Sequence, residues 1–137
     1  MAYLSLLFVD DDPIAREAAK AYLADDVFQV TTVDDGAQAC FAMNAQRYDL
    51  VVLDLSMPKL DGIDMLKYLR SHEAHRDVPT VVLTGRTDEA ALEGARAQGA
   101  SFVSCKPVDW RGLRLQLLDL VRDKLREPAQ PPLDQVG

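Results

Sequence analysis

The amino-acid sequence predicts an α/β fold: a doubly wound, five-stranded parallel sheet in the order 2-1-3-4-5, with helices on both faces. Three observations predict it. Short apolar runs alternate five times with stretches of helical period. Right-handed crossovers between parallel strands place such helices on one side of the sheet or the other. The first, third and fourth runs are continuously apolar, as central strands are. The second and fifth carry Gln29, Thr31, Thr32, Ser101 and Ser104 and read as edges.

Tyr3 to Val9 is the first strand, ended by Asp10-Asp11-Asp12-Pro13, where Asp12 caps a helix and Pro13 takes its first turn. That helix is expected to bury Ile14, Ala18, Ala21 and Tyr22 on one face. Val27 to Val33 reads as the second strand. Asp34-Asp35-Gly36 then turns into a helix expected to bury Ala37, Cys40 and Phe41. Leu50 to Leu53 is the third strand, followed by a loop with Pro58 and a helix burying Ile63, Leu66 and Leu69. Pro79 to Leu83 is the fourth strand. A helix from about Asp88 to Gln98 carries Gly94 and stops at Gly99. Ser101 to Cys105 is the last strand, and a final helix from Asp109 to Arg126 carries Leu113, Leu117, Leu120, Val121 and Leu125 on one stripe.

The chain has 137 residues, enough for one domain around one core, assigned here to residues 1–126. Residues 127–137 contain three prolines and little to bury, so they read as a disordered tail or linker. Fifteen basic residues face 22 acidic ones, a net charge of −7, which argues against direct nucleic-acid binding and against anionic membranes. No apolar run is long enough to span a bilayer, and the apolar start lacks a basic leader. Cys40 and Cys105 match no zinc or redox spacing and read as small core residues of a reduced, cytoplasmic protein.

In the order 2-1-3-4-5 the winding reverses between strands one and three, and a ligand crevice opens outside their carboxyl ends. Asp10, Asp11 and Asp54 fall there, with Thr84 ending strand four and Lys106 following strand five. Three carboxylates brought together repel unless a hard divalent cation neutralises them, and Mg2+ leaves coordination positions for a phosphoryl donor. Lys106 adds a second positive charge and Thr84 a hydroxyl donor, so the rim suits phosphoryl transfer to the Asp54 carboxylate.

Plainer roles compete with that reading. Asp12, Asp34, Asp35 and Asp61 are best read as turn or cap residues. Taken singly, Lys106-Pro107 and Thr84-Gly85 are an ordinary turn and an ordinary strand end. His72 and His75 read as a solvated pair compensating a helix dipole rather than as zinc ligands. Trp110 is either a partner anchor or a packing residue. Capping does not explain why two acids, Asp10 and Asp11, face Asp54.

The runs Phe8-Val9-Asp10-Asp11-Asp12, Leu53-Asp54-Leu55-Ser56-Met57-Pro58-Lys59-Leu60-Asp61-Gly62, Leu83-Thr84-Gly85 and Cys105-Lys106-Pro107 closely resemble the receiver domain of two-component response regulators, over roughly Leu4 to Leu125. The resemblance implies a flavodoxin-like fold. It implies that Asp54 is the phosphoacceptor, served by a phosphohistidine on a sensor histidine kinase or histidine phosphotransfer protein. It places Mg2+ on the Asp11 and Asp54 side chains, the Ser56 backbone carbonyl and, through water, Asp10. Lys106 would pair with the phosphoryl group, turned toward the site by a cis bond to the following Pro107. Thr84 would swing inward and remodel the face of helix four, strand five and helix five, where a downstream protein target binds.

Two positions depart from the family pattern: Val103 stands where an aromatic switch residue is common, and Val108 where phenylalanine is usual. Ser56 and Arg86 occupy positions that tune phosphoryl lifetime in the family. On this reading the chain is no multiple-turnover enzyme, although it would dephosphorylate itself slowly. Two alternatives stand beside it, a phosphorylation-independent docking receiver and a haloacid-dehalogenase-type phosphatase. The phosphatase is disfavoured because Ser56 replaces the general acid it needs two residues after the nucleophile. The kinase, the output and the oligomeric state, whether monomer or phosphorylation-dependent dimer, are not legible in the residues.

Overall fold

The computed structural model describes residues 3–55, 62–85 and 89–126. Its elements in chain order are β1 (Leu4–Val9), α1 (Pro13–Leu23), β2 (Phe28–Val33), α2 (Gly36–Ala45), β3 (Leu50–Asp54), α3 (Gly62–Ser71), β4 (Thr80–Thr84), α4 (Glu89–Ala97), β5 (Phe102–Cys105), α5 (Trp110–Leu120) and α6 (Arg122–Arg126). The strands pair in parallel in the order β2-β1-β3-β4-β5, as the polarity of the runs predicts.

Alternation along the strands splits the core in two. Leu7, Val9, Val51, Leu53 and Val82 face Ala39, Met43, Met65, Leu66, Leu69 and Ala95, so α2, α3 and α4 cover one side. Leu6, Phe8, Leu50, Val52, Val81 and Leu83 face Ala19, Leu23, Leu113, Leu117 and Val121, so α1 and α5 cover the other. Every residue of β3 and β4 is buried, as central strands require.

Caps set the helix starts. Asp12 Oδ1 accepts the Ile14 N–H at 2.9 Å, and Asp109 Oδ1 accepts the Gly112 N–H at 3.1 Å. Asp35 Oδ1 accepts the Gln38 N–H at 2.8 Å, and the Gln38 side chain reaches back to the Asp34 N–H. At the end of α4, Gly99 has φ 96°, and the Gly99 and Ala100 N–H groups return to the Arg96 and Ala95 carbonyls. This paired closure needs a left-handed residue, which is why the helix stops at a glycine.

Four expectations are corrected. On α1 the buried face is Ala19 and Leu23, while Ile14 and Tyr22 are 78% and 61% exposed. Two apolar stripes run along this helix, and composition alone does not say which meets the sheet. Helix α2 buries Gly36, Ala39 and Met43, leaving Ala37 and Phe41 exposed and Cys40 half-buried. It is apolar nearly all round, so periodicity carries no face. The last helix is not continuous to Arg126: it breaks at Val121, with φ −110° and ψ 18°, and the short α6 that follows lets Lys124 reach Asp49 at 2.6 Å. Cys105 is exposed rather than a core residue, because edge strand β5 leaves its end open. The segment 127–137 and the residues Pro58 and Asp61 lie outside the described residues.

Candidate functional site

Residue Asp10 directly follows β1, and Asp54 is the last residue of the neighbouring β3, with Val9 paired to Leu53. Adjacent parallel strands that end level therefore set the two carboxyls side by side at the carboxyl edge of the sheet. Both are buried, whereas Asp11 is exposed at the mouth. Carboxylate oxygens of Asp10, Asp11 and Asp54 all lie within 4.8 Å of one another. Lys106, one residue beyond β5, extends back over this edge: its Nζ stands 3.5 Å from Asp10 Oδ2 and 3.5 Å from Asp54 Oδ1. The Lys106–Pro107 bond is cis.

Backbone contacts hold the rim in place. The Asp12 N–H donates to Asp10 Oδ1 at 3.0 Å, and the Arg16 guanidinium donates to the Asp10 carbonyl at 2.8 Å. The Lys106 N–H donates to the Thr84 carbonyl at 2.8 Å, tying the lysine to the end of β4, where Thr84 is fully buried. Arg16 was not among the residues singled out in the sequence. Its position one turn into α1, six residues after Asp10, was the only signal available.

Burial pushes the Asp10 carboxyl above its ordinary value and Asp54 pushes it the same way, while the Asp12 N–H and Lys106 pull it down. Its second oxygen, Oδ2, is buried and accepts no hydrogen bond; the ammonium at 3.5 Å is its nearest compensation. Among the described residues the Lys106 ammonium pairs with Asp10 and Asp54 at a cluster of three carboxylates. A small hard cation with oxygen ligands is what this donor set fits.

The five residues expected at the rim, Asp10, Asp11, Asp54, Thr84 and Lys106, all stand at the carboxyl ends of the strands, and four of them form one ionic cluster. Ser56 and Arg86 lie outside the described residues. Val103 is half-buried and packs into the core beneath α2, α3 and α4, with Phe102 exposed on the other side of β5. Asp12 and Asp35 are caps, as expected. Asp34 stands in the bend between β2 and α2, as a turn residue does, with its carboxylate Oδ1 buried without a hydrogen bond.

The two histidines are not a solvated pair. His75 is 6% exposed, and burial, the neighbouring His72 and Arg47 hold its imidazole below the ordinary value, against a backbone hydrogen bond at Ala74. Trp110 packs: its ring stacks on Tyr22 at 5.7 Å and lies 6.0 Å from Phe8.

Comparison with known proteins agrees with this geometry. The family model of the response regulator receiver domain matches residues 6–118. The DNA-binding response regulator MtrA of Mycolicibacterium smegmatis is 35% identical over 132 residues, covering 96% of this chain and 55% of its own length. The chain thus spans about half the length of the curated relatives it matches. Among solved structures, the receiver domain of a sensor histidine kinase from Pseudomonas aeruginosa, with a magnesium ion coordinated in its active site cleft, is 30% identical with a TM-score of 0.80, over 88% of this chain and 99% of that one. Chemotaxis protein CheY4 of Vibrio cholerae is 27% identical with a TM-score of 0.81, over 87% and 99%.

Proposed function

The chain belongs to the response regulator receiver family, and on that premise we propose that it is a phosphorylation-switched signalling receiver whose phosphoacceptor is Asp54. The donor is a phosphohistidine on a sensor histidine kinase or histidine phosphotransfer protein. An Asp54 carboxylate oxygen attacks phosphorus, the new P–O bond forms as the P–N bond breaks, and the imidazole leaves with the electron pair. The observation that carries this reading is the Lys106 ammonium, placed 3.5 Å from both buried carboxylates at the one edge where three acids converge.

Asp10, Asp11 and Asp54 would hold Mg2+, together with the Ser56 carbonyl, and the ion would supply charge neutralisation for the incoming phosphoryl oxygens. Lys106 then offsets charge that gathers on Asp54, and Asp12 and Arg16 keep Asp10 aimed into the cluster. Thr84, at the end of β4 and tied through its carbonyl to the Lys106 N–H, is the residue through which the phosphoryl group would be felt in α4, β5 and α5. Val103 gives that face an aliphatic side chain in place of an aromatic switch. Ser56 and Arg86 set the phosphoryl lifetime, and self-dephosphorylation is the only turnover.

The assigned receiver unit is residues 1–126, with 127–137 as a tail or linker. Output goes through protein contact at the α4, β5 and α5 face, since a net charge of −7 does not favour a phosphate backbone. DNA binding is in the name of the longer MtrA relative. Among the described residues no helix is long and apolar enough to cross a membrane, and the cytoplasm is the compartment that suits a phosphohistidine donor.

Incubation with a small-molecule phosphodonor, with and without Mg2+, followed by intact-mass measurement, tests the reading. One labile, Mg2+-dependent phosphoryl group is expected on the parent and none on Asp54→Asn. Equal labelling of both proteins would overturn it, and sustained turnover of a phosphomonoester would favour the phosphatase.

A further inference from the structure

Helices α1 and α5 meet at an exposed groove lined by Tyr22, Trp110, Arg111, Arg114 and Leu115. Tyr22 stacks one face on Trp110 at 5.7 Å and is still 61% exposed, so its other face is open to solvent, and Leu115 beside it is 62% exposed. Arg114 is engaged, paired with Asp25 at 2.5 Å and set over the Phe28 ring. Arg111 is exposed at the groove's edge. A flat aromatic face, an aliphatic neighbour and a guanidinium are the chemistry that receives a proline-rich segment carrying an acid.

Such a segment lies in this chain. After α6 the sequence reads Glu127-Pro128-Ala129-Gln130-Pro131-Pro132-Leu133-Asp134. We infer that Pro131-Pro132-Leu133-Asp134 docks in cis on this groove, with the proline rings against the open face of Tyr22 and Leu115, and Asp134 toward Arg111.

The reach agrees. Leu115 precedes the end of α6 at Arg126 by eleven residues, a span of at most about 17 Å at the helical rise because the break at Val121 bends the path. Pro131 and Pro132 come five and six residues after Arg126, about 15–19 Å at the extended spacing of proline-rich chain. Pro128, two residues past the helix, cannot continue it and favours a change of direction. The charges also agree. The molecule carries −7 overall, but the groove presents Arg111, Arg114 being paired with Asp25, and the segment has acids at Glu127 and Asp134 and no base. The contact would cover Tyr22, a residue of α1 that the sequence pattern assigns to the core and the fold leaves exposed.

Amide NMR of the full chain tests the inference against two full-chain variants, Pro131→Ala/Pro132→Ala and Tyr22→Ala. In the parent, order parameters of Leu133 and Asp134 should be about 0.8, falling below about 0.6 in both variants. The amides of Tyr22 and Arg111 to Leu115 should shift on the proline substitutions, and 1 M salt should weaken the contact by screening Arg111. Order parameters below about 0.6 in the parent would overturn the inference. So would groove amides that ignore the proline substitutions. Concentration-dependent shifts with a doubled mass in light scattering would overturn docking in cis in favour of a second copy. None of these readouts depends on phosphorylation of Asp54.

Discussion

The two ends of the sheet carry similar residues and use them in opposite ways. At the amino end Asp49 is satisfied twice, by the Ser5 N–H at 2.8 Å and by Lys124 Nζ at 2.6 Å. Arg70 donates to the Gly99 carbonyl at 2.7 Å and the Val78 carbonyl at 2.9 Å, with longer bonds to the Arg76 carbonyl and Thr80 Oγ1. At the carboxyl end Asp10 keeps a buried oxygen without a hydrogen bond, and Asp10 and Asp54 share one ammonium at 3.5 Å with Asp11 clustered beside them. Charge at one end closes the structure. At the other, burial and clustered like charge oppose ionisation of Asp10, and the donor set fits a hard cation.

The sharpest way to break this contrast is at Arg70. It joins α3 to the turn after α4 and to the entry of β4, and its removal takes a donor from the Gly99, Arg76 and Val78 carbonyls at once, of which Val78 keeps the Thr80 hydroxyl. Arg70→Ala should lower stability by about 3 kcal/mol, read as a denaturant midpoint. Phosphoryl labelling of the remaining folded fraction should persist. A loss under about 0.5 kcal/mol would show that the amino end is not held by this guanidinium.

At the carboxyl end the sign should reverse. Burial and Asp54 both oppose the charged form of Asp10, so Asp10→Asn should stabilise the metal-free protein by about 1 kcal/mol. Because the native carboxyl lies above its ordinary value, parent stability should fall as pH rises from that value through the raised one, and the variant should lack that fall. Added Mg2+ should stabilise the parent more than the variant. Thermal unfolding with and without Mg2+ measures both effects. A destabilised Asp10→Asn would mean that Lys106 and Asp12 already compensate Asp10 fully.

This asymmetry was half legible in the sequence. The carboxyl end was readable because its residues break apolar runs: an acid after Val9, an acid after Leu53 and a lysine after Cys105 have no place in a buried sheet except at its rim. The amino end was not. Asp49, Arg70 and Lys124 sit in polar surroundings where any charge fits, and only folding brings Asp49 and Lys124, 75 residues apart, into contact. Helix faces failed for a related reason. The pattern of α1 supports two apolar stripes and that of α2 supports any, and the choice is made by the sheet they meet.

A smaller effect is expected at Lys124. Its pair with Asp49 is half-exposed, so Lys124→Ala should cost under about 1 kcal/mol, and less at high salt. The Ser5 N–H still holds Asp49 in the variant.

The smallest effect at neutral pH belongs to His75, which shows whether the amino end is as settled as its hydrogen bonds suggest. This imidazole is buried beside a cleft whose charged lining includes Arg47, Asp49, Glu73, Asp77 and Lys124, and burial, His72 and Arg47 hold its affinity for a proton below the ordinary value of 6.5. The unfolded chain therefore binds the proton more readily than the native one. Stability from this group is full above pH 6.5 and is lost as pH falls from there toward the lowered native value. His75→Gln should match the parent's pH trend above 6.5 and flatten it below, before the carboxylates titrate. Identical slopes in parent and variant between pH 6.5 and 5 would mean that the acids of the cleft offset the burial of His75.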